Sequence, residues 1–410
     1  MSVLPPRIAN EAYEAPPVKL SAGPWWEGLP EDYYRLPDEF RVDRRTRAMV
    51  RGTALADLGV RTGLAMLVGS TAMPGMLWPG RMRRDMEDRD FYSDFADRDS
   101  PHDFFRDPGP VEEFREKPPE WYHFRPEDGE SVSVTFRSPF EPVNPRLREG
   151  YLAHERNRVA RAQYWRHNDG PRPTLVVVHG FVADPYWLNT RFLALPWFYK
   201  QGYDVVLYTM PFHGRRQDPW SLFSGQGFFS HGVAHINESF AHAIHDLRVF
   251  LRYLRERGAP RIGATGISLG GYTVSLLSCL EEDLSFVIPN VPVVSLFDLV
   301  MSWFPLNLEM RALMRATGVS LAELRKATAV HSSLTWKSRV PMERRMIVGG
   351  AGDRFAPPSQ TWLLWEHWQR CRLHWFPGNH LVHLDQGRYL KEMRAFMEAD
   401  AFREDAESSA

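Results

Sequence analysis

The stretch RIGATGISLGGYTVSLL (residues 261–277) decides the fold. It opens as a short apolar strand, passes through Gly266-Ile267-Ser268-Leu269-Gly270 and continues as an apolar helix. A serine on so sharp a turn between strand and helix needs neighbours without side chains, which is why both flanking positions are glycine. The turn lifts the hydroxyl clear of the sheet edge and aims the amide of Leu269 at charge developing on a substrate oxygen. Ser268 is therefore a candidate nucleophile.

Working outward, the same kind of strand recurs in PTLVVVHG (173–180), YDVVLYTM (203–210), LSFVIPN (284–290) and RMIVGG (345–350). Such apolar, β-branched runs belong to strands buried on both faces. SVSVTFRS (131–138) alternates and reads as a strand, as do RVARAQYWR (158–166) and RLHWF (372–376). Helix-like stretches at 187–201, 236–257, 270–281, 358–371 and 385–399 fall between them. In 236–257 the residues Phe240, Ile244, Leu247, Leu251 and Leu254 make one apolar helical stripe. Strands alternating with helices predict an α/β fold, a mostly parallel central sheet with helices on both faces.

A serine hydroxyl is a weak nucleophile until a base takes its proton, and the base needs an acid to orient it. In parallel sheets such groups collect just past the carboxyl ends of strands. Asp353 follows the strand RMIVGG, and His380 follows RLHWF in Pro377-Gly378-Asn379-His380. The chain order Ser268, Asp353, His380 is one of the known triad orders. His383 stands three residues on as a rival base, and Asp298 is a reserve acid.

Over about residues 130–400 the chain resembles the α/β-hydrolase superfamily. The resemblance rests on VVVHGF, GISLGG, GGAGDRFAPP and PGNH. The segment Met210-Pro211-Phe212-His213-Gly214-Arg215-Arg216 is similar to one in uncharacterised serine hydrolases and in dienelactone-hydrolase and acetyl-esterase relatives. The resemblance implies an oxyanion hole from the Phe181 and Leu269 amides, with His179 holding the loop. It implies a serine hydrolase acting on a small-molecule acyl or aryl ester through an acyl-enzyme, with no metal or organic cofactor. The same triad would serve an acyltransferase, thioesterase or amidase. A hydrolase-fold scaffold that only binds is the reading from another class, and the intact serine, acid and histidine argue against it.

Other groups have blander readings. His213, Arg215 and Arg216 would suit an anionic group, yet such a segment is more often a structural network beneath a site. His231, His235, His242 and His245 look like a metal cluster by composition, but no convincing second ligand set accompanies them. An insertion over about 296–340 carries Met301, Trp303, Phe304, Leu306, Met310, Leu313 and Met314, as a helical cap would. An apolar cap implies an apolar substrate portion, with Trp303 and Phe304 as the expected contacts.

Composition sets the bounds. The chain has 410 residues with 50 basic and 51 acidic side chains. That balance lacks the basic surplus of a nucleic-acid binder. With hydrophobic residues at 43% the chain is not disordered. Cys279 and Cys371 alone exclude a disulfide framework or a cysteine-rich zinc site. MSVLPPRIANEAYEAPP has no apolar run after a charged start, so the expectation is a cytoplasmic protein without a signal peptide. Residues 1–125 read as an extension of irregular and helical structure packed on a catalytic domain at 126–400, with a tail at 401–410. Trp25, Trp26, Tyr33 and Tyr34 in it would also suit a homo-oligomeric contact. Residues 53–73 read as a soluble or surface-docked helix, because Asp57 and Arg61 interrupt it at a spacing that lets them pair.

Overall fold

The computed structural model describes residues 8–14, 23–71, 79–111, 113–119, 124–182, 189, 190 and 192–401. Two short strands near the start, β1 (Tyr13–Glu14) and β2 (Glu39–Phe40), pair with each other. The remaining strands are β3 (Arg115–Lys117), β4 (Gly129–Arg137), β5 (Val159–His167), β6 (Thr174–Val178), β7 (Asp204–Thr209), β8 (Ile262–Ile267), β9 (Val287–Asn290), β10 (Met346–Gly350) and β11 (Arg372–Phe376). Among the described residues they form a nine-stranded sheet in the order β11-β10-β9-β8-β6-β7-β5-β4-β3. The longer helices are α1 (Arg44–Thr71), α2 (Pro79–Ala96), α3 (Val233–Glu256), α4 (Leu269–Leu277), α5 (Leu296–Ser302), α6 (Leu306–Thr317), α7 (Leu321–Ala327), α8 (Pro358–His367) and α9 (Gln386–Ala401).

Strands β6 to β11 run parallel, whereas β3, β4 and β5 are antiparallel at one edge. The sequence texture carries that difference. Every residue of β6 is buried, as both-face coverage requires, while burial alternates along β4. In β6, Leu175 and Val177 pack towards α9, and Val176 and Val178 join the core that contains α3 and α4. All five residues of the apolar stripe on α3 are at most 1% exposed. Each such burial stabilises the fold by about 1.5–3 kcal/mol. Register pairs Val178 with Gly266, Ile267 with Asn290 and Gly350 with Phe376, so the loops after β6, β8, β10 and β11 open on one sheet edge.

The described part of the first 125 residues combines irregular segments with helix, as expected. The 28-residue helix α1 and the 18-residue helix α2 occupy much of them. The face that α1 buries consists of Thr46, Val50, Ala54, Asp57, Arg61, Ala65 and Gly69. Their spacing of three or four is helical, but the residues are small or charged, so no apolar periodicity carries the helix expected at 53–73 back to Arg44. No helix among the described residues is long and apolar enough to cross a membrane.

The extension's aromatics point inward. Trp25, Trp26 and Tyr33 are buried; Trp25 Nε1 donates to Thr335 Oγ1 at 3.0 Å and the Tyr33 hydroxyl to the Ser359 carbonyl at 2.8 Å. The Arg325 guanidinium of α7 donates to the carbonyls of Leu29 (2.7 Å) and Pro30 (2.8 Å). Helices α5, α6 and α7 fill the insertion between β9 and β10, and Met301, Leu306 and Met310 cluster with Ala65 of α1. Ala401 ends α9, and the rest of the expected tail, residues 402–410, lies outside the described residues, as do Met1–Arg7.

Candidate active site

Ser268 sits between β8 and α4 with φ 57° and ψ −115°, in the left-handed region that a side-chain-bearing residue rarely adopts. The flanking glycines are steric necessities. A Cβ on Gly266 would stand 2.4 Å from the Gly270 carbonyl oxygen, and one on Gly270 2.1 Å from the Val178 carbonyl oxygen. The strained residue is held from both sides: the Ser268 amide donates to the Asn290 carbonyl and its carbonyl accepts from the Tyr272 amide, each at 2.9 Å. Strain of this kind persists only where the surroundings over-determine it.

The turn after β6 lies alongside. A Cβ on Gly180 would be 3.5 Å from the Cβ of Ser268, which places His179-Gly180-Phe181 next to the serine. His179 Nδ1 donates to the Gly180 carbonyl at 2.8 Å and its Nε2 accepts from the Met210 amide at 3.1 Å. Burial holds its pKa down at about 4, so it is a neutral brace for this turn.

Past β10 and β11 the two other candidates meet. His380 Nδ1 and Asp353 Oδ2 are 2.7 Å apart. Asp353 Oδ1 accepts from the amides of Phe355 (2.9 Å) and Ala356 (2.8 Å), which fixes the carboxylate. The Phe355 ring stacks on the imidazole with centroids 5.1 Å apart. Burial opposes a charge on His380, but the Asp353 carboxylate, with Asp57 behind it, outweighs this and raises its pKa above the ordinary value. The rival histidine is engaged elsewhere. His383 Nδ1 lies 2.7 Å from the Tyr389 hydroxyl, and burial drives its pKa down to about 3. Asp298 is spent on Arg325, with oxygens 2.6 and 2.9 Å from the guanidinium.

Ser268 and His380 line one cavity of about 890 Å³. Phe181, Leu269 and Trp303 also line it, and Trp303 Nε1 donates to the Phe355 carbonyl at 3.0 Å. Phe304, the other expected contact, is 53% exposed and is not among the lining residues, because the chain turns outward between α5 and α6.

Sequence reasoning missed Asp57. Its spacing from Arg61 predicts a pair on α1, but both instead turn to the loop after β10. Asp57 Oδ2 accepts from the amides of Arg354 and His380, each at 2.9 Å, and Arg61 Nη1 donates to the Arg354 carbonyl at 2.8 Å. Burial lifts the Asp57 carboxyl to about 6, with Asp353 adding to the effect. Asn379 Nδ2 donates to the Thr53 carbonyl at 2.6 Å, a fourth hydrogen bond between the loops and α1. The signal available in the sequence was the paired charge inside an otherwise uncharged stretch, 53–73.

The basic segment after β7 lies in a network beneath the sheet edge. Arg216 is fully buried, with Nη2 2.7 Å from Asp246 Oδ2 and 2.8 Å from the Asn157 carbonyl. His242 is drawn into the same network. Of the four histidines singled out by composition, only His231 joins a group with metal-ligand spacing, and its companions are His154 and Asp218. His154 Nδ1 and Asp218 Oδ2 are 2.8 Å apart, an ordinary ion-pair distance.

No protein-family model matches the chain. Two uncharacterized Mycobacterium tuberculosis proteins, Rv2627c of strain H37Rv and MT2702 of strain CDC 1551, are each 32% identical to it over 253 residues, 59% of this chain. The chain spans 56% of the length of each of these relatives. Acetyl xylan esterase 1 from Thermoanaerobacterium sp. JW/SL YS485 superposes with a TM-score of 0.53 at 17% identity, over 76% of this chain and 93% of that one. An acetyl xylan esterase from Paenibacillus sp. R4 gives a TM-score of 0.50 at 13% identity, over 77% and 94% of the two chains. At such identities the likeness is one of architecture, and with the sheet order above it makes this the α/β-hydrolase fold.

Proposed function

We propose that the chain is a serine hydrolase of carboxylic esters, with residues 126–400 as its catalytic domain and residues 1–125 as a dependent extension. The observation that carries the reading is a single cavity onto which both Ser268 and the Asp353-paired His380 face. The Asp353 contact fixes the tautomer with hydrogen on Nδ1, which leaves Nε2 to accept a proton. Ser268 Oγ attacks the ester carbonyl carbon while its proton passes to Nε2. The carbonyl electron pair moves onto oxygen, where the amides of Phe181 and Leu269 receive it. Each such donor contributes about 10²–10³ in rate. Collapse expels the alcohol, which takes the proton from Nε2 and leaves an acyl-serine. Water then repeats the sequence: its proton goes to Nε2, the acid leaves, and Ser268 recovers its hydrogen.

Asp57 serves in this scheme as a positioning residue, since one carboxylate oxygen holds the backbone on both loops that carry Asp353 and His380. The direct test is turnover of a panel of nitrophenyl esters by the native chain and by Ser268→Ala. Turnover should fall by at least about 10³-fold in the variant, whose circular dichroism and melting temperature stay native. Equal activity in the two would exclude the assignment.

A further inference from the structure

We propose that the ester cleaved here carries a long, uncharged acyl chain, and that helix α1 of the N-terminal extension is the wall that reads its length. The proposal rests on the reading of Ser268 as nucleophile and narrows it to a substrate class.

The cavity wall is almost wholly hydrocarbon. Among the described residues, its polar side chains apart from Ser268 and His380 are Asn189, Thr328 and the Trp303 indole, and no described lysine, arginine, aspartate or glutamate lines it. A phosphate, a carboxylate or a sugar placed inside would lose its water and find few partners among the described residues, at a cost of several kcal/mol per unpaired polar group. An alkyl chain loses nothing there. At about 30 Å³ for a group the size of water or methylene, a cavity of about 890 Å³ accepts a sixteen-carbon chain with room for the alcohol portion. An acetyl or butyryl group would leave most of the wall without contacts.

The wall has two sides that come from different parts of the chain. Leu306 and Met310 of α6 belong to the cap, and Leu64 and Val68 face the same space from α1. Val60 and Leu67 of α1 line the cavity and are 52% and 39% exposed, as is Leu381 beside His380 at 42%. The entrance is therefore rimmed with apolar side chains from α1 and from the base-carrying loop. The glycine Gly63 also lines the cavity, and a Cβ there would meet nothing within 4 Å. The space beside it is open for a substrate, and a Cβ at that position would clash with nothing.

The test uses the full chain, the native protein beside Leu64→Trp and Gly63→Phe, with nitrophenyl esters from acetyl to palmitoyl in detergent micelles. Replacing a mid-helix glycine does not weaken α1, because glycine is among the poorest helix formers. Native kcat/KM should rise with chain length by at least tenfold from butyryl to palmitoyl. Both variants should lose most of that gain, so that their palmitoyl-to-butyryl ratio of kcat/KM falls at least about fivefold below native. A native preference for acetyl or butyryl, or variants with an unaltered length profile, would overturn the proposal. A second arm separates it from the reading it rests on. Ser268→Ala should bind the methyl ester of a pyrene-labelled dodecanoic acid, and Leu64→Trp combined with Ser268→Ala should bind it at least tenfold more weakly. Binding without turnover of any ester by the native chain would sink the hydrolase and keep the ligand class. Absence of binding would sink the ligand class.

Discussion

Asp57 places one carboxylate oxygen on two backbone amides that belong to different loops, so its replacements act on geometry and on charge separately. Asp57→Asn keeps an acceptor for both amides and removes the negative charge. In the proposed mechanism His380 must be neutral to take the serine proton, and Asp57 is one of the groups that raise its pKa. The acidic limb of kcat/KM should therefore move to lower pH in Asp57→Asn, with the plateau close to native. Asp57→Ala removes the acceptor as well. Two amides are then left without their partner, at about 1–3 kcal/mol for each buried group, and the plateau itself should fall by tenfold or more. Identical pH profiles in the native chain and Asp57→Asn would contradict this role. Stability follows the same carboxyl. With a folded pKa of about 6 against an ordinary value near 3.9, it favours folding below the ordinary value, and that contribution is lost as pH rises through about 6. Melting temperature should thus depend less on pH in Asp57→Asn between about 4 and 6.

Elements were legible in the sequence where their burial is apolar and illegible where it is not. The turn at Ser268 could be read because its glycines, strand and helix are all local. Asp353 and His380 could be read because each directly follows a strand, and the parallel register then brings the two loops together. Helix α1 was legible only from residue 53 onward, since its buried stripe runs through Thr46, Asp57, Arg61 and Gly69 rather than through leucines. The partners of His154 were equally hidden, because Asp218 and His231 reach it from separate loops. Of the basic segment at Arg215 and Arg216, Arg216 forms a buried pair, whereas Arg215 is exposed. Arg216 is fully buried against Asp246, so Asp246→Ala should strand a cation in the core. That change should cost about 3–5 kcal/mol in denaturant unfolding. A loss below about 1 kcal/mol would mean that Arg216 finds another partner.

At the scale of the whole molecule, the extension is built into the cavity as well as onto the sheet. Strand β11 meets the chain's start through a bridge between Ile8 and Trp375, α7 holds Leu29 and Pro30, and α1 walls the cavity. Deleting residues 1–125 should therefore expose apolar core and release the loops of Asp353 and His380. We expect residues 126–410 to be poorly soluble and to retain less than about a tenth of native turnover. A soluble, fully active fragment would contradict this. The proposed hydrolysis turns on one hydroxyl, and labelling it is the most direct measurement. After incubation of the full chain with a fluorophosphonate, intact-mass spectrometry followed by peptide mapping should find one adduct per chain, on Ser268, and none in Ser268→Ala. A folded native chain that stays unlabelled, or a label that persists in Ser268→Ala, would contradict the account.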